Sequence, residues 1–442
     1  MGESATAGRS WRTLRFAAIQ LASAGAGMVA WMVLPRVASG VEQEPAIIAF
    51  ALGPILALPL TLGVPAMLPN AFRRSADGGY LRPGSWSGPL RVVCWLVGFA
   101  TALGILLLII DGFVDARLET AALTASYAAG MGTWLVAAQV SRIKESTILM
   151  MAGGLLNPAL PLAWMLFTGS GLSRDLAASA SVMVMSAMCV GLWLGMGSLL
   201  RAGASSPGGD VRRALLLAMV LVPHLALFAV LMQGIRLSAI VVGAPEVLEQ
   251  AHLASLGVTM VSVLVNSIHS LLSVRIQTSD DPALMASIRM TSTGYGALVL
   301  ASTVMTLIFY LVLPFVSGVG VSFSVAVPLG LTVPALVVYY ASSAIQLRTG
   351  SATRLLTASG GAVALWVFAT VLIPADSLLG LAWVFAIAPV SMAIIVAVLG
   401  SFNPEPLTRS ATRLMIRRIA PTVGACVVAL VAAGAAAAFV GG

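Results

Sequence analysis

The chain carries thirteen apolar runs of about 20 residues, at 14–38, 45–69, 89–111, 119–140, 147–168, 176–200, 212–243, 246–273, 291–316, 320–346, 357–375, 378–400 and 420–440. Each is long enough to cross a hydrocarbon core about 30 Å thick. Inside lipid every backbone N–H and C=O must be paired within the protein, so runs of this length are predicted to be helices. Charged residues make up 9% of the sequence, against about 25% in soluble domains. The fold class expected is therefore an all-α, polytopic membrane protein.

The sides of the membrane follow from Arg and Lys. Arg9, Arg12 and Arg15 precede the first run, which reads as a retained anchor because a second span follows at once. With the N-terminus in the cytoplasm and the spans alternating, cytoplasmic segments hold 20 of the 24 basic residues, and only Arg36, Arg117, Arg174 and Arg236 fall outside. Thirteen spans then put the C-terminus outside. The net charge of +8 has the same origin and does not call for nucleic acid. The longest loops are cytoplasmic, which leaves little room for an outer catalytic domain. Lys144, the sole lysine, has no glycine run before it, so there is no phosphate-binding loop for ATP. Cys94, Cys189 and Cys426 lie in apolar runs without metal-ligand or disulfide spacing. No carboxylate sits in mid-span. A non-enzyme without cofactor or metal is expected.

Two internal echoes suggest repeated halves. QVSRIKESTILMMAGGLLNPALPL, from Gln139, resembles QLRTGSATRLLTASGGAVALWVF, from Gln346, six spans later. Each gives a basic turn, a Ser/Thr-rich entry and a Gly-Gly pair (Gly153–Gly154; Gly360–Gly361). The ends of spans one and seven also correspond, with Arg36 before Glu42 and Glu44, and Arg236 before Glu246 and Glu249. These divide the chain into residues 1–205 (spans one to six), 206–400 (spans seven to twelve), and 401–442, a basic cytoplasmic linker with an extra helix. Many transporters are built from such halves, with the substrate at their interface.

The eighth span carries the most unusual pattern. His252, Ser255, Thr259, Ser262, Asn266, His269 and Ser273 recur at steps of three and four, which is one polar stripe along a helix. Such a stripe either lines a wet cavity or forms a dry helix–helix seam. His224, His252 and His269 are the only histidines. Intramembrane histidines suit proton-responsive or substrate roles, or are satisfied by a neighbouring hydroxyl. His252 and His269 stand about 25 Å apart on a helix, which excludes a shared metal. Arg36 and Arg236 are the candidates for an anionic group, since a guanidinium grips phosphate bidentately; the alternative is an interfacial arginine reaching lipid phosphate. Pro54, Pro59 and Pro65 in the second span are candidates for gating, because proline lets a helix bend.

Several stretches resemble the polysaccharide (O-antigen type) flippases of the multidrug/oligosaccharidyl-lipid/polysaccharide (MOP) exporter superfamily. Pro35-Arg36, Gly40, Glu42, Glu44 and Leu62-Gly63-Val64-Pro65 follow the order of that family's first two helices, and LIPADSLLGLAWVFAIAP from Leu372 is similar to its late Leu-Ile-Pro run. The resemblance covers about 14–400. Ile235-Arg236 replaces the family's Asp-Arg, and Glu249 and Ala251 stand where many members have Gly-x-Tyr. The resemblance implies two six-helix lobes with pseudo-two-fold symmetry around a central cavity. It implies a lipid-linked oligosaccharide, usually on undecaprenyl pyrophosphate, moved outward across a bacterial cytoplasmic membrane by alternating access. Under it Arg36 and Arg236 hold the anionic head, while His252, Ser255, Thr259, Ser262, Asn266 and His269 meet sugar hydroxyls. Membrane lipid and glycosyltransferases or a polymerase are the expected partners, and a monomer the expected state. A drug or metabolite exporter of the same superfamily, a membrane glycan polymerase or ligase, and a non-transporting scaffold remain alternatives.

Overall fold

In a computed structural model, the described residues are 40–64, 87–114, 118–144, 221–242, 245–279, 281–319, 321–348, 352–373 and 377–441, with Ala18, Met32 and Met219. They are helical throughout apart from short turns, and pack as two compact units, one within residues 18–229 and the other over 230–442. Among them, seven helices are long and apolar enough to cross a membrane, and a bent pair makes an eighth. The spans expected at 147–168 and 176–200, and that at 14–38 apart from Ala18 and Met32, lie outside the described residues.

In the first unit, α1 (Gly40–Leu60), α2 (Ser87–Val114) and α3 (Glu119–Lys144) form a layer with α3 in the middle. Gly53 lets α1 approach α3 closely, since a Cβ there would lie 2.3 Å from Tyr127 Cδ1. Asp111 accepts a hydrogen bond from the Leu118 amide, which ties the end of α2 to the start of α3. The second span is expected to run to residue 69; α1 ends at Leu60, a turn follows, Val64 is helical again, and 65–69 lie outside the described residues. Leu62 (φ 50°) and Gly63 (φ 68°) turn into left-handed backbone. For leucine that conformation costs about 1–2 kcal/mol. The apolar stretch within α1 covers only Ile47–Leu60.

In the second unit the bent pair is α4 (Val222–Met232), which begins before residue 230, and α5 (Gly234–Val242), at 65° to each other. The long helices follow: α6 (Pro245–Thr278), α7 (Asp281–Ser317), α8 (Ala326–Arg348, after a 3-10 turn at Phe323–Val325), α9 (Ala352–Leu372), α10 (Leu378–Ser401) and α11 (Pro406–Gly441). Ser377 caps α10 by accepting from the Gly380 amide at 3.2 Å. The central helix is α8, which packs on α6, α7, α10 and α11 and is buried on nearly every side. Close approach to α11 depends on glycine: a Cβ at Gly330 would lie 2.5 Å from Leu430, and one at Gly434 would lie 2.2 Å from Val327. Leu300, Val304, Ile308, Leu311 and Phe315 form an exposed apolar row on α7. A row of this size facing outward matches hydrocarbon rather than water.

Two helices begin earlier than the apolar runs suggested. α7 starts at Asp281 instead of near 291, and the basic stretch read as a linker is helical from Pro406. Each opens on an acid followed by proline, Asp281-Pro282 and Glu405-Pro406. Proline suits the first helical position, where its missing N–H has no partner to lose.

Arg348, at the end of α8, holds the turn between α6 and α7. Its Nη2 donates to the Ser279 carbonyl at 2.9 Å and to Asp281 Oδ1 at 2.5 Å, and its Nε reaches the same carbonyl at 3.3 Å. Asp281 is 73% exposed and Arg348 only 13%. Water therefore screens the ion pair, and the carbonyl contacts carry most of the stabilisation. Arg348→Ala is expected to lower the melting temperature in detergent more than Asp281→Asn does. Equal effects would place the stabilisation in the ion pair.

Candidate functional site

Beside the bend between α4 and α5, two of the expected residues, Arg236 and His252, come together. Gln233 occupies the turn between the two helices, and α5 starts at Gly234. A Cβ at Gly234 would lie 3.1 Å from Phe385 of α10 and 3.4 Å from Trp366 of α9, so the break is packed tightly against both. Two residues on, Arg236 is fully buried. The sequence puts it at the outer end of span 212–243; in the structure it lies within α5, in the core of its unit. Its Nη1 donates to Gln233 Oε1, and its Nε donates to His252 Nδ1 at 3.2 Å. The second bond requires a lone pair on Nδ1 and so assigns the Nε2–H tautomer to His252. Two residues singled out separately in the sequence, the arginine of span seven and the first histidine of the stripe, are therefore one cluster. Gln233 was missed. Its signal was its place three residues before an arginine in a span whose composition is mainly apolar.

The stripe itself divides along α6. His252 and Ser255 are buried, Thr259, Ser262 and His269 are half-buried, Asn266 is exposed, and Ser273 is buried. The hydroxyls turn back onto their own helix. Ser255 donates to the His252 carbonyl (2.6 Å), Thr259 to that of Ser255 (2.9 Å) and Ser262 to that of Thr259 (2.7 Å). This spends each proton locally and leaves oxygen lone pairs as acceptors. His269 Nδ1 lies 2.8 Å from the Tyr295 hydroxyl, and its ring sits 4.6 Å from that of Tyr340. Tyr310 donates to the Ala254 carbonyl at 2.5 Å. The upper stripe is thus fixed to α7 by Tyr310 and to α5 by Arg236, and Asn266 is the member that presents its full donor and acceptor set outward.

The remaining candidates are dispersed. His224 is buried on α4, away in sequence from the stripe. Pro54 and Pro59 lie inside α1, with Pro59 exposed one residue before the helix ends. Arg36 and Pro65 lie outside the described residues. Among the described residues no group of three His, Cys, Asp or Glu could hold a metal ion. Carboxylates on the described spans sit near their ends, as with Glu44 of α1, Asp111 of α2 and Glu249 of α6.

No protein-family model and no curated protein sequence matches the chain. Solved structures do. A MOP-superfamily transporter from Pyrococcus furiosus Vc1, described as having a binding pocket of reverse polarity that suggests a different function, superposes with a TM-score of 0.55. It is 14% identical over 92% of this chain and 96% of that one. A multidrug resistance MATE family transporter of the MOP superfamily in an outward-facing conformation gives 0.54, at 14% identity over 93% of this chain and 96% of that one. An inward-facing structure of such a transporter gives 0.53, at 14% identity over 92% and 99%. The chain has the fold of these transporters.

Proposed function

We propose that this protein is a secondary transporter that flips a lipid-linked oligosaccharide or polysaccharide precursor across the cytoplasmic membrane by alternating access. The observation that carries this reading is Arg236, a guanidinium buried at the bend of a membrane span and bonded to the polar-striped helix. A guanidinium fork matches two oxygens of one phosphate at once, which suits the anionic head of the pyrophosphate-linked carrier that the family resemblance implies. Arg36 is proposed for the same head group. His252, Ser255, Thr259, Ser262, Asn266 and His269 would meet the sugar, chiefly as acceptors, apart from Asn266, which can also donate. Glycosyltransferases or a polymerase would supply and consume the cargo, and the protein would work as a monomer.

A second reading is export of a drug or metabolite, favoured by the fold shared with a multidrug resistance transporter. Deleting the gene and restoring it separates the two. Loss of surface glycan, with unchanged drug susceptibility, supports the flippase. Drug sensitisation with intact glycan would replace it with the exporter.

The stripe gives a finer test. Ser262→Ala and Thr259→Val should keep export within about twofold, because each hydroxyl already spends its proton on its own helix and a neutral hydrogen bond contributes about 0.5–1.5 kcal/mol. Asn266→Leu, which swaps an exposed amide for apolar bulk, should lower export by about fivefold on the same scale. Surface glycan measured against protein level decides it, and full export from the triple variant would remove the stripe from the sugar path.

A further inference from the structure

The first four turns of α11 carry Arg409, Arg413, Arg417 and Arg418. Thr408, Ala411, Thr412, Met415 and Ile419 of the same turns are fully buried. The arginines therefore occupy the opposite side: Arg413, Arg417 and Arg418 are exposed and Arg409 is half-exposed. Steps of four put Arg409, Arg413 and Arg417 in one row, with Arg418 beside it. No acid follows Glu405 in the chain. Arg413 donates Nε to the Ser401 carbonyl at 3.1 Å, the end of the preceding helix. Among the described residues none of the four arginines forms an ion pair with a carboxylate. Glu405 is already occupied by the Thr408 hydroxyl at 2.7 Å, and Asp281 by Arg348.

The neighbouring helix adds to this charge. α11 runs antiparallel to α8, since Gly330 faces Leu430 while Val327 faces Gly434. α7 joins α8 through a short turn and so runs parallel to α11, with Gly296 beside Thr422. Two turns back along both helices, Arg289 comes level with Met415 and is exposed.

The depth of the row follows from the length of what comes after it. Residues 419–441 are helical and contain no charged residue. They span about 34 Å at 1.5 Å per residue, enough to cross the hydrocarbon core unaided. Arg417 and Arg418 then stand at the edge of that core, and Arg409 stands about 13 Å further out. This is the layer where phospholipid phosphates lie, on the basic and hence cytoplasmic side.

We infer that this face of α11 is a binding surface for anionic phospholipid of the cytoplasmic leaflet. Topology signalling needs only the number of charges. It does not call for their placement on one face, without carboxylate partners, opposite a fully packed face. The inference is independent of what the protein transports.

The test uses the full-length purified protein in a neutral detergent, titrated with phosphatidylglycerol or phosphatidylcholine and read by native mass spectrometry and thermal shift. The variant is Arg409→Gln/Arg417→Gln/Arg418→Gln, which leaves the Arg413–Ser401 contact in place. The parent should prefer phosphatidylglycerol, and the preference should shrink as salt rises. The Gln variant should lose about tenfold or more in phosphatidylglycerol affinity, with its lipid-free melting temperature unchanged. The corresponding triple Lys variant should stay within about threefold of the parent, because point charges suffice for head groups. A Gln variant that keeps the preference overturns the inference. So does inorganic phosphate that stabilises the parent as well as the lipid does, since the surface would then be a site for free anions.

Discussion

Arg236→Ala is expected to lower glycan export by at least about tenfold, with protein at normal abundance in the membrane. The substitution removes a buried fork that donates to both Gln233 and His252. Charge-assisted bonds of this kind are worth about 1.5–3 kcal/mol each, so loss of either the proposed head-group contact or the arrangement that would present it accounts for such a drop. Arg236→Lys should restore part of the activity, because it keeps the charge and loses the bidentate geometry. His252→Ala separates direct contact from positioning. If His252 serves mainly to aim the guanidinium, the double variant Arg236→Ala/His252→Ala should be no worse than Arg236→Ala alone. Export at the parent level from Arg236→Ala would eliminate the cluster as a substrate site.

The second large effect belongs to stability. At Gly53 an added Cβ would meet Tyr127 at Cδ1 (2.3 Å), Cγ (3.1 Å) and Cβ (3.2 Å). The tyrosine cannot escape by turning its ring, because its own Cβ is already close, so the helices α1 and α3 would have to separate. Gly53→Ala is expected to cost about 1–3 kcal/mol, the usual range for overpacking, and Gly53→Val more. Gly98 is the control, since nothing lies within 4 Å of a Cβ there; Gly98→Ala should be neutral or slightly stabilising. Thermal unfolding in detergent measures both. Equal melting temperatures for the Gly53 and Gly98 variants would mean that α1 and α3 are not closely packed at Gly53.

The membrane character of this chain was legible because hydropathy acts over whole segments: every described span coincides with an apolar run, within the limits set by its ends. Those ends were not legible from hydropathy. α7 and α11 begin before their apolar runs, in amphipathic turns that bury Leu284 and Ile288, or Met415 and Ile419, on one side and so show no continuous apolar stretch. The acid-proline pairs at Asp281-Pro282 and Glu405-Pro406 were the available signal. The stripe on α6 was visible as spacing, but spacing does not report depth. Whether a hydroxyl faces a cavity or folds back onto its own carbonyl is decided by neighbours remote in sequence, such as Tyr310 on the Ala254 carbonyl. The joining of Arg236 to His252 depends on the break at Gln233–Gly234, which no periodicity encodes.

The burial of α8 bears on how the chain is assembled. A helix with so little outward surface gains nothing from contact with acyl chains that its neighbours do not already supply. Entering the bilayer and reaching its final place are then separate events, as they are wherever close packing of small residues drives association in lipid. When α8 enters, α6 and α7 are already present, while α10 and α11 have yet to be synthesised. Its Gly330 side, shaped for Leu430, and its Gln346 amide, bonded to the Val396 carbonyl at 2.8 Å, face groups that do not yet exist. Until those helices arrive the half-built unit holds a polar, concave flank against lipid, so a ribosome that stalls between α8 and α11 leaves a form suited to recognition by membrane quality control.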